Sequence, residues 1–285
     1  MYDIIIIGSG SAGLPAAIYA SRYCLKTLVI GEMPGGALAT AHRVENWPGT
    51  MADSGRNIME SFRAHAKAYG SEICEDRVVS IEGEAPCFTL KTLSGKEFQT
   101  KTVLLATGNK YRHLRVPGED KFLGSGVSYC ATCDGNFFKN LDVAVVGGGD
   151  SAATEALYLA GIAKTVYLIV RKDRMKAEEV WMRKVVETPN IIIRYESVIE
   201  EIIGKFEVEK VRFVGGEELD LQGVFVAIGS YPDASLLTPY AVDLDTDGCV
   251  KVDAAQHSSV RGIYAAGDVT TNSNKYKQAI ISAAE

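Results

Sequence analysis

One glycine-rich turn occurs twice in this chain, each time between an apolar run and a helical pattern, and nothing else in the sequence constrains the fold as tightly. In the first copy Asp3-Ile4-Ile5-Ile6-Ile7 leads into Gly8-Ser9-Gly10-Ser11-Ala12-Gly13, and a helical pattern runs to about Tyr23. In the second, Val143-Ala144-Val145-Val146 leads into Gly147-Gly148-Gly149-Asp150-Ser151-Ala152, and Ala153 to Leu159 continues as a helix. In G-x-G-x-x-G/A the first glycine allows the tight turn. The second lets a pyrophosphate approach the backbone, and the third lets helix and strand pack closely. The helix N-terminus then faces the phosphate. Pro15 falls in the first helical turn, where its missing N–H costs little.

Each copy continues in the same way. A second strand follows, Thr27–Ile30 or Val166–Val170, and a later buried strand ends in a glycine turn. Those ends are Ala106-Thr107-Gly108 and Ala227-Ile228-Gly229. The plan is α/β: two Rossmann-like, three-layer ββα halves. The copies differ where the same step from the first glycine (8 to 32, 147 to 171) lands. It reaches Glu32 in one and Arg171 in the other. An acid there suits a free ribose hydroxyl and a base suits a 2′-phosphate, so the spacing points to FAD in the first copy and NADPH in the second. Lys172 and Lys176 add charge around that phosphate. The plainer readings are a solvated loop carboxylate for Glu32 and an exposed basic surface for the 171–176 loop.

Between the two turns stands Cys130-Ala131-Thr132-Cys133-Asp134-Gly135. Two thiols three positions apart close a small disulfide ring, and one of them often has a depressed pKa. The thiolate is the attacking species in disulfide exchange, and Asp134 is placed to trade protons with the leaving thiol. Half of a zinc site is the alternative. Zinc needs four ligands, whereas Cys24, Cys74, Cys87 and Cys249 are scattered singly and His113 and His257 belong to no cluster. Redox chemistry is the better reading.

The 285 residues are 47% hydrophobic, enough for one large or two medium cores. A net charge of −6 argues against general nucleic-acid binding. No run approaches the roughly 18 apolar residues of a membrane span. The chain starts without a signal-like segment, and six cysteines with one local pair suit a reducing, cytoplasmic setting. Residues 34–49 read as a long loop, 53–70 as a helix, and 72–104 as short strands turning at Gly83 and Ser94-Gly95. Arg112 to Gly126 reads as a linker. Ile263 to Val269 forms a strand ending in Gly267-Asp268, where the carboxylate is placed for polyol hydroxyls, and Lys277-Gln278-Ala279 starts a helix.

These pieces together resemble the low-molecular-weight, bacterial-type thioredoxin reductases over nearly the whole chain. The matching stretches are 8–13, Pro34-Gly35-Gly36, Val44-Glu45-Asn46-Trp47-Pro48-Gly49, 106–108, 130–135, 147–152 and 265–269. The resemblance implies a homodimeric flavoenzyme whose NAD(P)H domain (113–241) is inserted into a discontinuous FAD domain (1–112 plus 242–285). Hinges are then expected near Arg112-His113 and Tyr240. It implies FAD contacts at Gly8, Gly10, Ser11, Ala12, Gly13, Glu32, Gly35, Gly36, Asn46, Ala106, Thr107, Gly108, Gly267, Asp268, Lys277, Gln278 and Ala279. NADPH contacts are implied at Gly147, Gly149, Asp150, Ser151, Ala152, Arg171, Lys172, Lys176, Ile228 and Gly229. Cys133 is then the sulfur facing the flavin, Cys130 the one that attacks a thioredoxin-like partner, and Asp134 the acid/base.

The sequence departs from the family pattern in three ways. Ser11 and Ala37 replace a usual Pro and Gln. Val170-Arg171-Lys172-Asp173-Arg174-Met175-Lys176 replaces an arginine-rich clamp, and because Lys lacks Arg's bidentate fork the preference for NADPH over NADH is expected to be weaker. The family pattern also runs on past Glu285 through a full helix, so thinner packing of the FAD domain is expected. Two other functions fit parts of the pattern: an oxygen-using dithiol oxidase with a degraded nicotinamide site, and a catalytically silent binding protein.

Overall fold

A computed structural model describes residues 1–41, 44–51, 53–272 and 278–285. The chain forms two compact units, Met1–Lys110 with Tyr231–Glu285, and Tyr111–Ser230. The first begins β1 (Tyr2–Ile7), α1 (Gly13–Arg22), β2 (Thr27–Ile30), α2 (Gly55–Ala68) and β3 (Glu72–Cys74). Three further strands follow, β4 (Val78–Glu84), β5 (Cys87–Thr92) and β6 (Glu97–Leu105), and β7 (Asn109–Tyr111) leads out. The second unit opens with β8 (Val127–Ser128), α3 (Ala131–Asp134), β9 (Asp142–Val146), α4 (Asp150–Ala160), β10 (Thr165–Ile169), α5 (Glu179–Glu187) and β11 (Ile191–Arg194). It ends with β12 (Ile199–Ile203), β13 (Lys210–Phe213), β14 (Glu218–Asp220) and β15 (Gly223–Val226). The chain returns through β16 (Ser230–Pro232), which pairs with β7, and finishes with β17 (Ile263–Ala265) and α6 (Ala279–Ala284).

In the first sheet the order is β3-β2-β1-β6-β5-β4, with β17 also paired to β6. Strands β3, β2, β1, β6 and β17 run parallel, while β6, β5 and β4 form an antiparallel flap. The second unit has an all-parallel sheet, β11-β10-β9-β15-β8, and a small antiparallel sheet, β12-β13-β14. Parallel strands are covered on both faces and so read as unbroken apolar runs. In β1, Ile5 and Ile7 join Leu28, Phe88, Val103 and Leu105 in one core. Ile6 points the other way, to Leu14 and Ala17 of α1 and Met59 of α2. Strand β9 divides likewise, with Val143 and Val145 toward Ala153, Ala156 and Leu159 of α4, and Ala144 and Val146 toward Phe122 and Val211.

Two expectations differ from the structure. Gly83 is not a turn: it lies within β4 opposite Phe88, and the hairpin reverses at Ala85-Pro86. A Cβ on Gly83 would stand 2.5 Å from the Cys87 carbonyl oxygen, so close strand approach rather than chain reversal requires glycine there. The chain also re-enters the first unit at Tyr231, ahead of the expected Tyr240. Ala234, Leu237 and Val242 join the core around Phe88, which commits the 234–242 segment to that unit. Among the described residues no helix is long and apolar enough to cross a membrane.

Candidate active site

Cys130 and Cys133 are joined by a disulfide, with their Cα atoms 5.3 Å apart. Cys130 is the N-cap of α3, and the Cys133 N–H points at its sulfur at 3.2 Å. That N–H also donates to the Cys130 carbonyl oxygen at 3.2 Å, so a thiolate formed on reduction would share it. Ser128, a residue that no motif picks out, organises the turn. Its Oγ accepts the Cys130 N–H at 3.0 Å and donates to Asp134 Oδ2 at 2.6 Å. The carboxylate expected as acid/base is thereby oriented beside the pair.

In the second unit the glycine turn lies between β9 and α4. Gly147 adopts φ +154°, and a Cβ there would stand 2.2 Å from the Ala227 carbonyl oxygen. Gly149 is different, because a Cβ on it would meet nothing within 4 Å. The fold therefore demands the first glycine, and free backbone surface is what the second provides. No side chain caps α4 at Gly149, whereas α2 has Ser54 Oγ accepting the Asn57 N–H. The first-turn N–H groups of α4 are left for an anion. Asp150 Oδ1 takes the Glu178 N–H at 2.7 Å, and the Gly148 carbonyl takes the Lys176 N–H at 2.6 Å. Those two bonds fold the 171–176 loop back over the turn. Arg171, Lys172 and Lys176 are exposed, as is Arg174, which the spacing argument passed over. Among the described residues none of the four forms an ion pair. Gly229, exposed and with φ +95°, lies three residues past β15 and directly before β16, with the exposed Ile228 beside it. Ser151 and Ala152 lie in the first turn of α4.

The first unit repeats this arrangement. A Cβ on Gly8 would stand 2.1 Å from the Ala106 carbonyl oxygen, and one on Gly13 1.9 Å from Gly8's own. A Cβ on Gly10 would have only Gly36 Cα and the Gly35 carbonyl oxygen within 4 Å, the nearer at 3.7 Å, so three glycines converge on one open stretch of backbone. No side chain caps α1 at Ala12, and Ser11 precedes it. Thr107 donates to the Asp233 carbonyl, and Gly108 follows with open space around it. Asp268 accepts from Asn109 Nδ2 at 3.1 Å and from Ser282 Oγ at 3.2 Å, next to Gly267. Asn46 Nδ2 donates to Gln278 Oε1 at 2.8 Å, which brings the 44–49 loop to the start of α6 at Ala279. Glu32 is exposed and its carboxylate lies 3.9 Å from Arg77. Lys277 lies outside the described residues.

One further acid stands out on α4. Among the described residues nothing hydrogen-bonds the buried Glu155 Oε2, and burial pushes its pKa up to about 8. In sequence it reads as an ordinary helix-face carboxylate, so only packing could have identified it.

Residues 2–285 match the model of the pyridine nucleotide-disulphide oxidoreductase family, and the chain belongs to that family. A pyridine nucleotide and a flavin are its implied cofactors. The thioredoxin reductase of Mycolicibacterium smegmatis is 42% identical over 99% of this chain and 92% of its own length. The bifunctional thioredoxin reductase/thioredoxin of Mycobacterium leprae is 40% identical over 99% of this chain, which spans 63% of that longer protein. The crystal structure of Lactococcus lactis thioredoxin reductase superposes with a TM-score of 0.93 at 33% identity, covering all of this chain and 95% of that one. Within the family, the chain falls in the thioredoxin reductase branch.

Proposed function

We propose that the chain is an NADPH-dependent thioredoxin-disulfide reductase that uses FAD. The observation that carries this reading is the bonded Cys130–Cys133 pair with Asp134 held beside it by Ser128, in one unit with an uncapped glycine turn and a basic loop that forms no ion pair among the described residues. The unit Met1–Lys110 with Tyr231–Glu285 is assigned as the FAD domain and Tyr111–Ser230 as the NADPH domain.

The residues present fit both groups, since each glycine turn leaves its second glycine open and its helix uncapped. Gly8, Gly10, Ser11, Ala12 and Gly13 would hold the FAD pyrophosphate and Gly35, Gly36 and Asn46 would flank it. Glu32 would take the ribose. Ala106, Thr107, Gly108, Gly267, Asp268, Gln278 and Ala279 would line the rest. Gly147, Gly149, Asp150, Ser151 and Ala152 would hold the NADPH pyrophosphate, Arg171, Lys172 and Lys176 its 2′-phosphate, and Ile228 and Gly229 the nicotinamide end. When bound, these cofactors supply an electron pair for reduction of the disulfide.

The protein's own chemistry is thiol–disulfide exchange. The Cys130 thiolate attacks one sulfur of the partner disulfide, forming a mixed disulfide and releasing a partner thiolate. Cys133 then attacks Cys130, re-forming the internal bond and releasing the second partner thiolate. Two electrons pass to the partner, whose two thiolates take up two protons, one through Asp134 and one from solvent. The homodimeric state rests on the family pattern. A reducing, cytoplasmic setting is supported by Cys24, Cys74 and Cys87 standing outside any disulfide.

The experiment is an anaerobic assay of the flavin-loaded protein with NADPH, then NADH, each followed by oxidised thioredoxin. Thioredoxin thiols formed faster with NADPH are expected. A flavin that neither nicotinamide bleaches would favour the oxidase reading, and bleaching without thiol formation would refute thioredoxin as the substrate.

A further inference from the structure

Cys130 leads into α3, a helix of only four residues, Ala131–Asp134. The helical run continues as a 3-10 turn through Phe138, and Ala131 and Phe138 sit in the core, so its far end is fixed while the half-buried Cys130 at its start takes its place from the residues before it. Ser128 is one anchor. The second belongs to no motif. Tyr129, directly before Cys130, donates its hydroxyl to Glu119 Oε1 at 2.6 Å. Glu119 is 2% exposed, and its two oxygens also take the backbone N–H groups of Leu114 at 2.8 Å and Arg115 at 2.6 Å. Because the Tyr129 hydroxyl donates to Glu119, its oxygen accepts from His113 Nδ1 at 2.8 Å, which puts the ring proton on that nitrogen. The Tyr129 ring stacks on Tyr111, centroids 5.8 Å apart and planes 16° apart, with the His113 ring tilted against it at 5.0 Å. Burial, then the bond to Glu119, raises the phenol's pKa well above its ordinary value, so it remains a donor at neutral pH.

A tyrosine serving only as packing would need its ring and not this bond to a buried carboxylate. We propose that Glu119, Tyr129 and His113 form the positioning unit for the attacking thiol, holding Cys130 where its sulfur keeps the Cys133 N–H. In the dithiol form that donor stabilises the thiolate, so loosening the anchor raises the thiol's pKa and slows its attack. The proposal rests on the reductase reading, in which Cys130 attacks the partner disulfide.

Tyr129→Phe keeps the ring and its stacking and removes only the hydroxyl. In the flavin-loaded, dithiol-reduced enzyme, iodoacetamide alkylation of Cys130, read by mass spectrometry at pH 7, is expected to slow about fivefold, with its pH profile displaced upward. The kcat/KM for oxidised thioredoxin falls by a similar factor, while flavin bleaching by NADPH stays at the parent rate. His113→Ala, at the exposed end, gives about a twofold effect of the same sign. An unchanged Cys130 alkylation profile in Tyr129→Phe overturns the proposal, as does bleaching that slows as much as alkylation. Should the Phe variant lose its fold, an unchanged profile in His113→Ala overturns it instead. A parent enzyme that fails to reduce thioredoxin would sink the reductase reading, and the alkylation arm would still decide the positioning role.

Discussion

In the first half of the molecule Gly8 turns with φ +117° against the Ala106 carbonyl, and in the second Gly147 turns with φ +154° against the Ala227 carbonyl. Gly8 N–H donates to Ile30 and Gly147 N–H to Ile169, so each turn is tied to the end of its neighbouring strand by the same bond. The halves differ at several matched positions, and three of them bear on packing or on a ligand. Gly13 is matched by Ala152, Ala16 by Glu155, and Glu32 by Arg171. One backbone plan is thus used twice. What the backbone requires of itself is shared, and what a ligand or a neighbour requires differs.

The third turn position should show the largest contrast. Gly13→Ala would place a carbon 1.9 Å from the Gly8 carbonyl oxygen. The variant is expected to lose about 3 kcal/mol of stability, with its flavin, in urea titrations followed by flavin fluorescence. The mirror change, Ala152→Gly, is expected to cost about 1 kcal/mol and leave the flavin bound. Equal effects would show that the close approach to the Gly8 carbonyl is not what requires Gly13.

Glu155 gives the next contrast. Its carboxyl titrates near 8 in the folded chain against an ordinary value of 4.5, so the folded state binds the extra proton between those values. Stability is therefore expected to fall as pH rises from about 5 to about 8, by roughly 3 kcal/mol, and then to level off. Glu155→Met should flatten that slope. The same slope in both proteins would mean that the carboxyl is hydrated.

Arg171 and Gly149 test the ligand's side of the comparison. Arg171→Ala is expected to raise KM for NADPH by about ten- to a hundredfold, a loss of about 1.5–3 kcal/mol, with little change for NADH. Equal changes would show that Arg171 does not touch the 2′-phosphate. Gly149→Ala meets no atom within 4 Å, so stability should change by about 1 kcal/mol at most while NADPH affinity drops about tenfold. A variant that binds NADPH normally would remove the case for pyrophosphate approach there.

The parts that were legible in the sequence are those that local rules enforce. Apolar runs bounded by glycine turns identify β1, β9 and the helices after them, because strand burial on both faces and tight turns leave marks in consecutive residues. The disulfide pair was legible for the same reason. Ser128 and Glu119 were not, since what they do depends on which strand and linker the fold brings beside Cys130. Gly83 misled because the same residue type serves both chain reversal and close strand approach. The 234–242 segment looks like ordinary connecting chain until Leu237 and Val242 are seen in the core.

The relay from nicotinamide to sulfur is tested most directly by counting electrons. Anaerobic titration of the flavin-loaded protein with NADPH should consume about two equivalents per chain before the flavin is fully bleached, one for the flavin and one for the Cys130–Cys133 disulfide, and about one in Cys130→Ser. A parent protein that bleaches fully at one equivalent, with both sulfurs still bonded, would contradict it.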